Sequence, residues 1–261
     1  MPRLSTPRGE FNVVFEGNRE RPVLMFSNSL GTTLDMWAEQ ASALSEQFAI
    51  LRYDTRGHGG SVVTAGEYRI DELADDAIAI MDELALAQVD FCGLSMGGMI
   101  GLSLGLRAPS RIRRLIVANS AAQIAPAQLW NDRIATVRRN GMAAIADGVA
   151  QRWFTAEFIA RNPDIVNAIK RMIVDTPVEG YASCCAAVRD FDVREKMRDI
   201  HLPVMVIAGA ADPATPPAVT LQISQAITGS RYELLPAAHL SNIECSVAFD
   251  HLLTDFLIKC F

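Results

Sequence analysis

A serine between two glycines is the residue of this chain best placed to act as a nucleophile. Ser95 lies at the centre of Gly93-Leu94-Ser95-Met96-Gly97, after an apolar run at residues 89–92 and before small and apolar residues at 98–105 that predict a helix. A sharp strand-to-helix turn strains its central residue, and flanking glycines avoid Cβ clashes there. We therefore expect Ser95 Oγ to project above a sheet, where the helix favours a developing negative charge.

A serine hydroxyl needs a nearby base to become nucleophilic, and the chain has four histidines. His239 directly follows the last predicted strand and is our candidate. His58 precedes Ser95, which breaks the order serine, acid, histidine that this topology imposes. His201 precedes a strand and His251 falls within the terminal helix, so neither is expected at the site.

The base needs a third group to orient it. Asp212 follows a buried strand between Ser95 and His239, whereas Asp190, Asp192 and Asp199 lie in a polar segment that we expect at the surface. Taken singly, Asp212 is equally well explained as a helix cap and His239 as a loop histidine. Together the three residues follow three strands in the required order, and the sequence therefore predicts a catalytic triad.

The oxyanion formed during acyl transfer needs backbone donors. They are commonly the amide after the nucleophile and one from the loop after an early strand. Met96 and Leu30 occupy those two places, so we predict that their N–H groups form the oxyanion hole.

The elements that position these residues alternate between strand and helix, which predicts an α/β fold with a mostly parallel sheet flanked by helices. Residues 12–16, followed by a turn signal at 17–18, predict an edge strand that enters a hairpin. From 121 to 188 the alternation gives way to helical patterns, which predict an inserted helical cap over the site. We therefore predict a core of residues 1–120 and 189–261 and a cap of 121–188. Ser241-Asn242-Ile243-Glu244 has the capping-box pattern and predicts the start of a terminal helix that runs through Phe256.

Composition limits the classes of partner. The chain has 261 residues, 50% of them hydrophobic, and a net charge of -6, which argues against nucleic-acid binding. The first nine residues read as a polar tail, and no long apolar run or signal-like leader occurs, so we expect a cytoplasmic protein without membrane contact. Cys92, Cys184, Cys185, Cys245 and Cys260 lack metal-ligand spacing, and the Cys184-Cys185 pair is better explained as core than as a redox switch. No metal or cofactor is predicted, and a homo-oligomer is left open.

Five stretches form a wider pattern, and one of them contains the strand-to-helix turn around Ser95, which we call the elbow. They are Asn28-Ser29-Leu30-Gly31-Thr32, Tyr53-Asp54-Thr55-Arg56-Gly57-His58-Gly59, Cys92-Gly93-Leu94-Ser95-Met96-Gly97-Gly98, Arg152-Trp153-Phe154-Thr155 and His239-Leu240-Ser241-Asn242-Ile243-Glu244. With them the chain resembles the α/β-hydrolase superfamily over almost its whole length, and within it the bacterial 3-oxoadipate enol-lactonases of aromatic-compound breakdown in the β-ketoadipate pathway. Many α/β hydrolases have a His-Gly pair where this chain has Asn28-Ser29.

The resemblance implies a small anionic enol-lactone as substrate and water as co-substrate. Ser95 would attack the lactone carbonyl, and a water activated by His239 would hydrolyse the acyl-enzyme. The substrate carboxylate needs a cationic or hydrogen-bonding partner, and residues 121–187 hold seven basic and six acidic side chains in a chain that is acidic as a whole. Trp130, Arg133 and Trp153 are our candidates to line the pocket, although both tryptophans are equally explained as core.

Three rival functions remain open at this stage, two of them enzymatic. A broad carboxylesterase or a cofactor-free perhydrolase would use the same triad, because the fold alone does not choose among them. Some proteins of this fold bind small hormones with hardly any turnover, although a complete triad argues against a receptor of this kind.

Overall fold

The computed structural model describes residues 3–124 and 126–259, so Met1, Pro2, Ala125, Cys260 and Phe261 lie outside the described residues. The described strands are β1 (Arg3–Thr6), β2 (Gly9–Glu16), β3 (Val23–Ser27), β4 (Ala49–Tyr53), β5 (Val89–Leu94), β6 (Ile112–Ala118), β7 (Val204–Gly209) and β8 (Arg231–Leu235). The described α-helices are α1 (Ala38–Leu44), α2 (Ile70–Glu83), α3 (Met96–Arg107), α4 (Ala127–Asn140), α5 (Ala143–Trp153), α6 (Ala156–Arg161), α7 (Pro163–Asp175), α8 (Val178–Asp190), α9 (Pro217–Ala226), α10 (Ser241–Glu244) and α11 (Ser246–Lys259).

The strands form one sheet in the order β1-β2-β4-β3-β5-β6-β7-β8. The pairs β1–β2 and β2–β4 are antiparallel, and every later pair is parallel. The predicted α/β class with a mostly parallel sheet is thus confirmed. Parallel strands end at the same edge of a sheet, so the segments after β3, β5, β6, β7 and β8 are brought together.

The apolar runs explain why the sheet interior forms. All residues of β3, β4, β5 and β7 are buried, as expected of strands covered by helices on both faces. Helix α2 places its apolar residues on one face and crosses between β4 and β5. Helix α3 lies close to the sheet, because a Cβ on Gly101 would come within 2.7 Å of the Leu115 side chain. The sheet therefore carries the elbow on a tightly packed support.

The N-terminal prediction was wrong in two respects. Residues 3–6 form strand β1 rather than a polar tail. Strand β2 is not an edge strand that leads into a hairpin with β3, because it pairs with β1 on one side and β4 on the other. The hairpin is β1–β2, and its turn connects Thr6 to Gly9. The local turn signal at Gly17-Asn18 could not reveal which strand lies next to β2, since that pairing is long-range.

The C-terminal prediction also needs correction. The expected helix from Ser241 to Phe256 consists of two helices, α10 and α11. Leu240 is the N-cap of α10, and no side-chain capping bond is formed there. The side chains of Ser241 and Glu244 instead bond Asn119 and Thr155, which are distant along the chain.

Between β6 and β7 the chain forms the five helices α4–α8, which we call the helical segment. Its helices pack on one another, chiefly α4 on α8 and α5 on α7. An isolated bridge between Gln123 and Asp192 joins the two chain ends that flank it. The division into a core and a cap of residues 121–188 remains a prediction. Among the described helices, none is long and apolar enough to span a membrane.

Candidate active site

The turn between β5 and α3 holds Ser95 in a strained backbone conformation. Its φ of 57° and ψ of -114° lie outside the regions that non-glycine residues favour. Ser95 N donates to Ala118 O at 2.9 Å, and Ser95 O accepts from Met99 N and from Ser120 Oγ at 3.1 and 2.7 Å. Bonds to the neighbouring strand and to the helix therefore hold the strained residue in place, as strain at a functional residue requires.

The two glycines of the elbow are required by close backbone contacts. A Cβ on Gly93 would lie 2.0 Å from Gly97 O, and a Cβ on Gly97 would lie 2.2 Å from Ser27 O. Both distances are far below van der Waals contact with backbone that cannot move aside. The expected reason for the G-x-S-x-G pattern, which is close approach of strand and helix, is present in the structure.

The segments after β7 and β8 bring Asp212 and His239 together. His239 Nδ1 lies 2.8 Å from Asp212 Oδ2, and the two side chains are 97% and 100% buried. Because the ionised carboxylate only accepts, His239 carries its proton on Nδ1 and leaves Nε2 free to accept. This is the tautomer that a general base facing a serine hydroxyl needs.

The carboxylate of Asp212 is fully supplied with donors. Oδ1 accepts from the backbone N–H groups of Ala214 and Thr215, and Oδ2 accepts from Asn119 Nδ2 and Thr215 Oγ1 at 3.0 and 2.7 Å. Burial opposes ionisation, but the charge of His239 and these hydrogen bonds outweigh it and lower the pKa of Asp212 to about 2. Asp212 is therefore an anion across the physiological pH range.

Ser95 and His239 line the same cavity, which has a volume of about 220 Å³. Within the described part of the chain, Ser95 Oγ makes no hydrogen bond to the imidazole. Catalytic hydrogen bonds are often long without substrate and tighten when it binds, so the shared cavity is the relevant observation.

The Met96 amide, which we predicted as one donor of the oxyanion hole, makes no hydrogen bond to a described residue. On one side of it Ser95 N is bonded to Ala118 O, and on the other Gly97 N donates to Asn28 O at 3.0 Å. No described acceptor takes the Met96 N–H, which is the first amide of α3. It is therefore available to a ligand and carries the positive end of the helix dipole.

The loop after β3 leaves the Leu30 amide free in the same way. Ser29 N donates to Met36 Sδ at 3.4 Å, Gly31 N to His58 Nε2 at 2.8 Å, and Thr32 N to Ser29 O at 3.2 Å. The Leu30 N–H donates to no acceptor in the described residues, and Leu30 lines the cavity with Ser95. That Leu30 and Met96 form an oxyanion hole stays a prediction, and Leu30, but not Met96, is among the residues that line the cavity.

The residues predicted to line the pocket all do so. Trp130, Arg133 and Trp153 border the cavity, and both tryptophans are also more than nine-tenths buried, so the core and pocket interpretations hold together. The Trp153 ring stacks on His239 with centroids 6.1 Å apart. The Arg133 guanidinium lies 5.3 Å from the centre of the Trp130 ring.

Arg152 and Tyr181 are among the lining residues that the sequence analysis did not predict. Arg152 and Tyr181 border the cavity next to Arg133, whose Nη1 lies 3.5 Å from Tyr181 Oη. Burial, followed by the positive charge of Arg133, lowers the pKa of Arg152. Neither arginine forms an ion pair with a carboxylate of the described residues. Arg152 adjoins Trp153 in a stretch that the sequence analysis had singled out, and that adjacency was the available signal.

A second set of bonds joins the helical segment to residues 236–240, the loop between β8 and α10 that carries His239 and that we call the histidine loop. Glu244 accepts from Ala238 N at 2.8 Å and from Thr155 N at 3.1 Å, and it also bonds Thr155 Oγ1. Leu240 N donates to Trp153 O at 3.0 Å. The end of α5, which carries Trp153, is therefore fastened on both sides of His239.

The rejected candidates lie apart from this chemistry. His201, His251, Asp190, Asp192 and Asp199 are exposed. His58 is buried beneath the Leu30 loop and does not border the cavity, but its hydrogen bond to Gly31 supports that loop, which the sequence analysis did not predict.

Cys92, Cys184 and Cys185 are buried thiols, and burial raises the pKa of each, whereas Cys260 lies outside the described residues. In residues 3–124 and 126–259, no cluster of His, Cys, Asp and Glu could hold a metal ion.

The chain is similar to known proteins over most of its length. Residues 22–245 match the alpha/beta hydrolase fold family. The chain is 46% identical over 235 residues to 3-oxoadipate enol-lactonase 2 of Acinetobacter baylyi, covering 90% of this chain and 88% of that protein. It is 38% identical to 3-oxoadipate enol-lactonase 1 of the same organism, over 94% of this chain and 92% of the relative. The crystal structure of the enol-lactonase from Burkholderia xenovorans LB400 superposes with a TM-score of 0.96 at 43% identity, covering 98% of this chain and 99% of that one.

Proposed function

The chain belongs to the alpha/beta hydrolase fold family, and we propose that within it the protein hydrolyses 3-oxoadipate enol-lactone to 3-oxoadipate. The observation that carries this proposal is a single cavity with a nucleophile and base at one side and two guanidinium groups in its wall. The substrate is inferred from the names of the relatives, and the guanidinium groups of the cavity give a physical reason for an anionic substrate.

In the first half-reaction, Ser95 Oγ attacks the lactone carbonyl while His239 Nε2 takes the hydroxyl proton. The negative charge that forms on the carbonyl oxygen accepts hydrogen bonds from the N–H groups of Leu30 and Met96. The bond from the carbonyl carbon to the ring oxygen then breaks, and the imidazolium returns the proton to that oxygen. Because the leaving group is an enol rather than an alkyl alcohol, this half-reaction is the easier one.

In the second half-reaction, water takes the place of the serine hydroxyl. His239 removes a proton from the water, whose oxygen attacks the acyl-enzyme carbonyl. The Ser95 ester bond breaks, Ser95 recovers its proton from the imidazolium, and the freed enol becomes the ketone of 3-oxoadipate. Asp212 stays ionised throughout and stabilises the imidazolium in both halves.

The substrate carboxylate would be held by Arg133 and Arg152. Two like charges beside one cavity repel each other, and an anion between them relieves that repulsion. An anion is thus favoured over a neutral ester of similar size.

The proposal is tested by steady-state rates on 3-oxoadipate enol-lactone and on p-nitrophenyl acetate. We expect kcat/KM for the lactone to exceed that for the acetate, and Ser95→Ala to reduce turnover of both by several orders of magnitude. A higher kcat/KM for the acetate would identify a broad carboxylesterase. Binding of the lactone without turnover by the intact protein would identify a receptor, and either result would reject the proposal.

A further inference from the structure

Asn119, directly after β6, is a buried residue in an unusual backbone conformation. Its φ of 45° lies in the left-handed region, and its side chain is fully buried. Its backbone N–H donates to Ile207 O at 2.8 Å, which ties the turn to β7. Asparagine tolerates left-handed φ better than most residues do, but the conformation still has a cost that surrounding contacts must offset.

The side-chain amide of Asn119 joins the acid of the triad to the segment that carries the base. Nδ2 donates to Asp212 Oδ2 at 3.0 Å and to Ala238 O, one residue before His239, at 3.1 Å. Oδ1 accepts from Ser241 Oγ at 2.5 Å. The opposite amide orientation would set a carbonyl oxygen against two acceptor oxygens, so the bonds themselves fix which atom is nitrogen.

We propose that Asn119 is a positioning residue that holds Asp212 and His239 at their mutual distance and orientation. This inference rests on the triad assigned in the proposed function. Thr215 Oγ1 also lies near both partners, at 2.7 Å from Asp212 Oδ2 and 3.4 Å from His239 Nδ1, but it belongs to the Asp212 segment itself, whereas Asn119 joins the two segments from a third one. Asn119 bonds both sides with one nitrogen. Replacing this amide is therefore expected to change the distance and orientation of the two segments relative to each other, rather than the position of either segment alone.

The adjoining residue extends the same turn to the nucleophile. Ser120 Oγ donates to Ser95 O at 2.7 Å, so the turn after β6 contacts the segments of all three triad residues. A Cβ on Gly209 would lie 2.1 Å from Ala238 O and 2.9 Å from Asn119 Nδ2. Glycine at the end of β7 thus leaves the space that the amide and the histidine loop occupy.

Two substitutions remove the side-chain amide of Asn119 and still allow the left-handed backbone conformation at this position. Asn119→Gly keeps the positive φ without strain and removes all side-chain bonds. Asn119→Asp also tolerates this φ but replaces the donor nitrogen by an oxygen that repels Asp212. Asn18→Asp is the matched control. Asn18 is exposed in a turn, and its Oδ1 accepts from Glu20 N, a bond that a carboxylate also makes.

The measurement is the rate at which a fluorophosphonate labels Ser95, followed across pH. This reaction needs the triad but not the lactone site, so a wrong substrate assignment leaves the test valid. We expect both Asn119 variants to label about 10- to 100-fold more slowly than the intact protein, because misplaced catalytic groups reduce rates by about that factor.

We also expect the acid limb of the plot of labelling rate against pH to move to higher pH, most in Asn119→Asp. The charged groups around the amide are Asp212, His239 and Glu244, and an added negative charge there makes the Asp212–His239 pair hold its proton more tightly.

Thermal unfolding of each variant establishes that it is folded. If the Asp variant does not fold, the Gly variant decides. Folded variants that label at the control rate would overturn the inference. Slower labelling with an unmoved acid limb would also overturn it, because a general loss of structure lowers the rate without changing the proton affinity of the pair. Labelling of the intact protein without any lactone hydrolysis would reject the proposed substrate and leave the role of Asn119 standing.

Discussion

His58 Nε2 accepts a hydrogen bond from the backbone N–H of Gly31 at 2.8 Å, one residue beyond the free amide of Leu30. The imidazole proton therefore lies on Nδ1, which is 3.3 Å from Arg56 O. The side chain is completely buried. A neutral histidine thus fixes the loop that carries Leu30, the residue whose N–H we propose as one donor of the oxyanion hole.

This contact predicts a loss of stability in mild acid. Burial, only partly opposed by the bond to Arg56 O, lowers the pKa of His58 to about 4 from 6.5. Between these two pH values His58 binds a proton in the unfolded chain but not in the folded protein. The free energy of unfolding therefore falls as the pH drops from 6.5 to 4, and below pH 4 the contribution of His58 no longer changes. The shift corresponds to about 3 kcal/mol.

The measurement is the free energy of urea unfolding at pH 7 and pH 4 for the intact protein and for His58→Gln. Glutamine offers Gly31 an acceptor oxygen but does not titrate. We expect the intact protein to lose about 3 kcal/mol more than the variant over this interval, since all other titrating groups are shared. Equal losses in the two proteins would show that His58 is not held neutral.

The convergence of the candidate nucleophile, acid and base at one edge of the sheet could be predicted from sequence, because each of them follows a strand whose apolar pattern is local. Parallel pairing then brings such segments to one edge of the sheet whatever lies between them. The glycines around Ser95 mark a turn by their type alone. This local information sufficed for Ser95, Asp212 and His239 to be selected as candidates.

Bonds between distant segments could not be predicted in this way. Ser241 and Glu244 have the spacing of a capping box, yet their side chains bond Asn119 and Thr155, which tertiary packing brings within reach. Arg152 borders the cavity because of the way α5 packs, whereas an arginine in the last turn of a helix is equally typical of a solvent-exposed helix end. Such contacts depend on tertiary packing, which a local pattern does not record.

The elbow predicts a large effect of one added methyl group. Gly97→Ala would place its Cβ 2.2 Å from Ser27 O, and strand β3 and helix α3 would have to separate. We expect a loss of about 3 kcal/mol or more in the free energy of unfolding, at the upper end of overpacking effects. Chemical denaturation followed by circular dichroism measures it.

Gly105→Ala in the same helix is the control for this change. The nearest atoms to a Cβ there are at 3.6 Å, which is ordinary contact. Because alanine is the better helix former, we expect unchanged stability or a gain of up to about 1 kcal/mol. A Gly97→Ala protein as stable as Gly105→Ala would mean that β3 and α3 do not approach as closely as described.

The paired arginines predict selectivity for charge rather than for ester chemistry. Arg133→Met and Arg152→Met keep an apolar stem beside the cavity but remove the guanidinium groups that would hold the substrate carboxylate. A hydrogen bond to a charged group contributes about 1.5–3 kcal/mol, so we expect KM for the anionic lactone to rise about 10- to 100-fold in each variant. Neutral p-nitrophenyl acetate has no carboxylate, and its kcat/KM should change little. Arg139→Met is the control, because Arg139 is exposed on the same helix as Arg133 and does not line the cavity. Equal losses for both substrates would show that the arginines shape the pocket instead of binding the anion, and an effect of Arg139→Met as large as that of Arg133→Met would point to the overall charge of the helical segment.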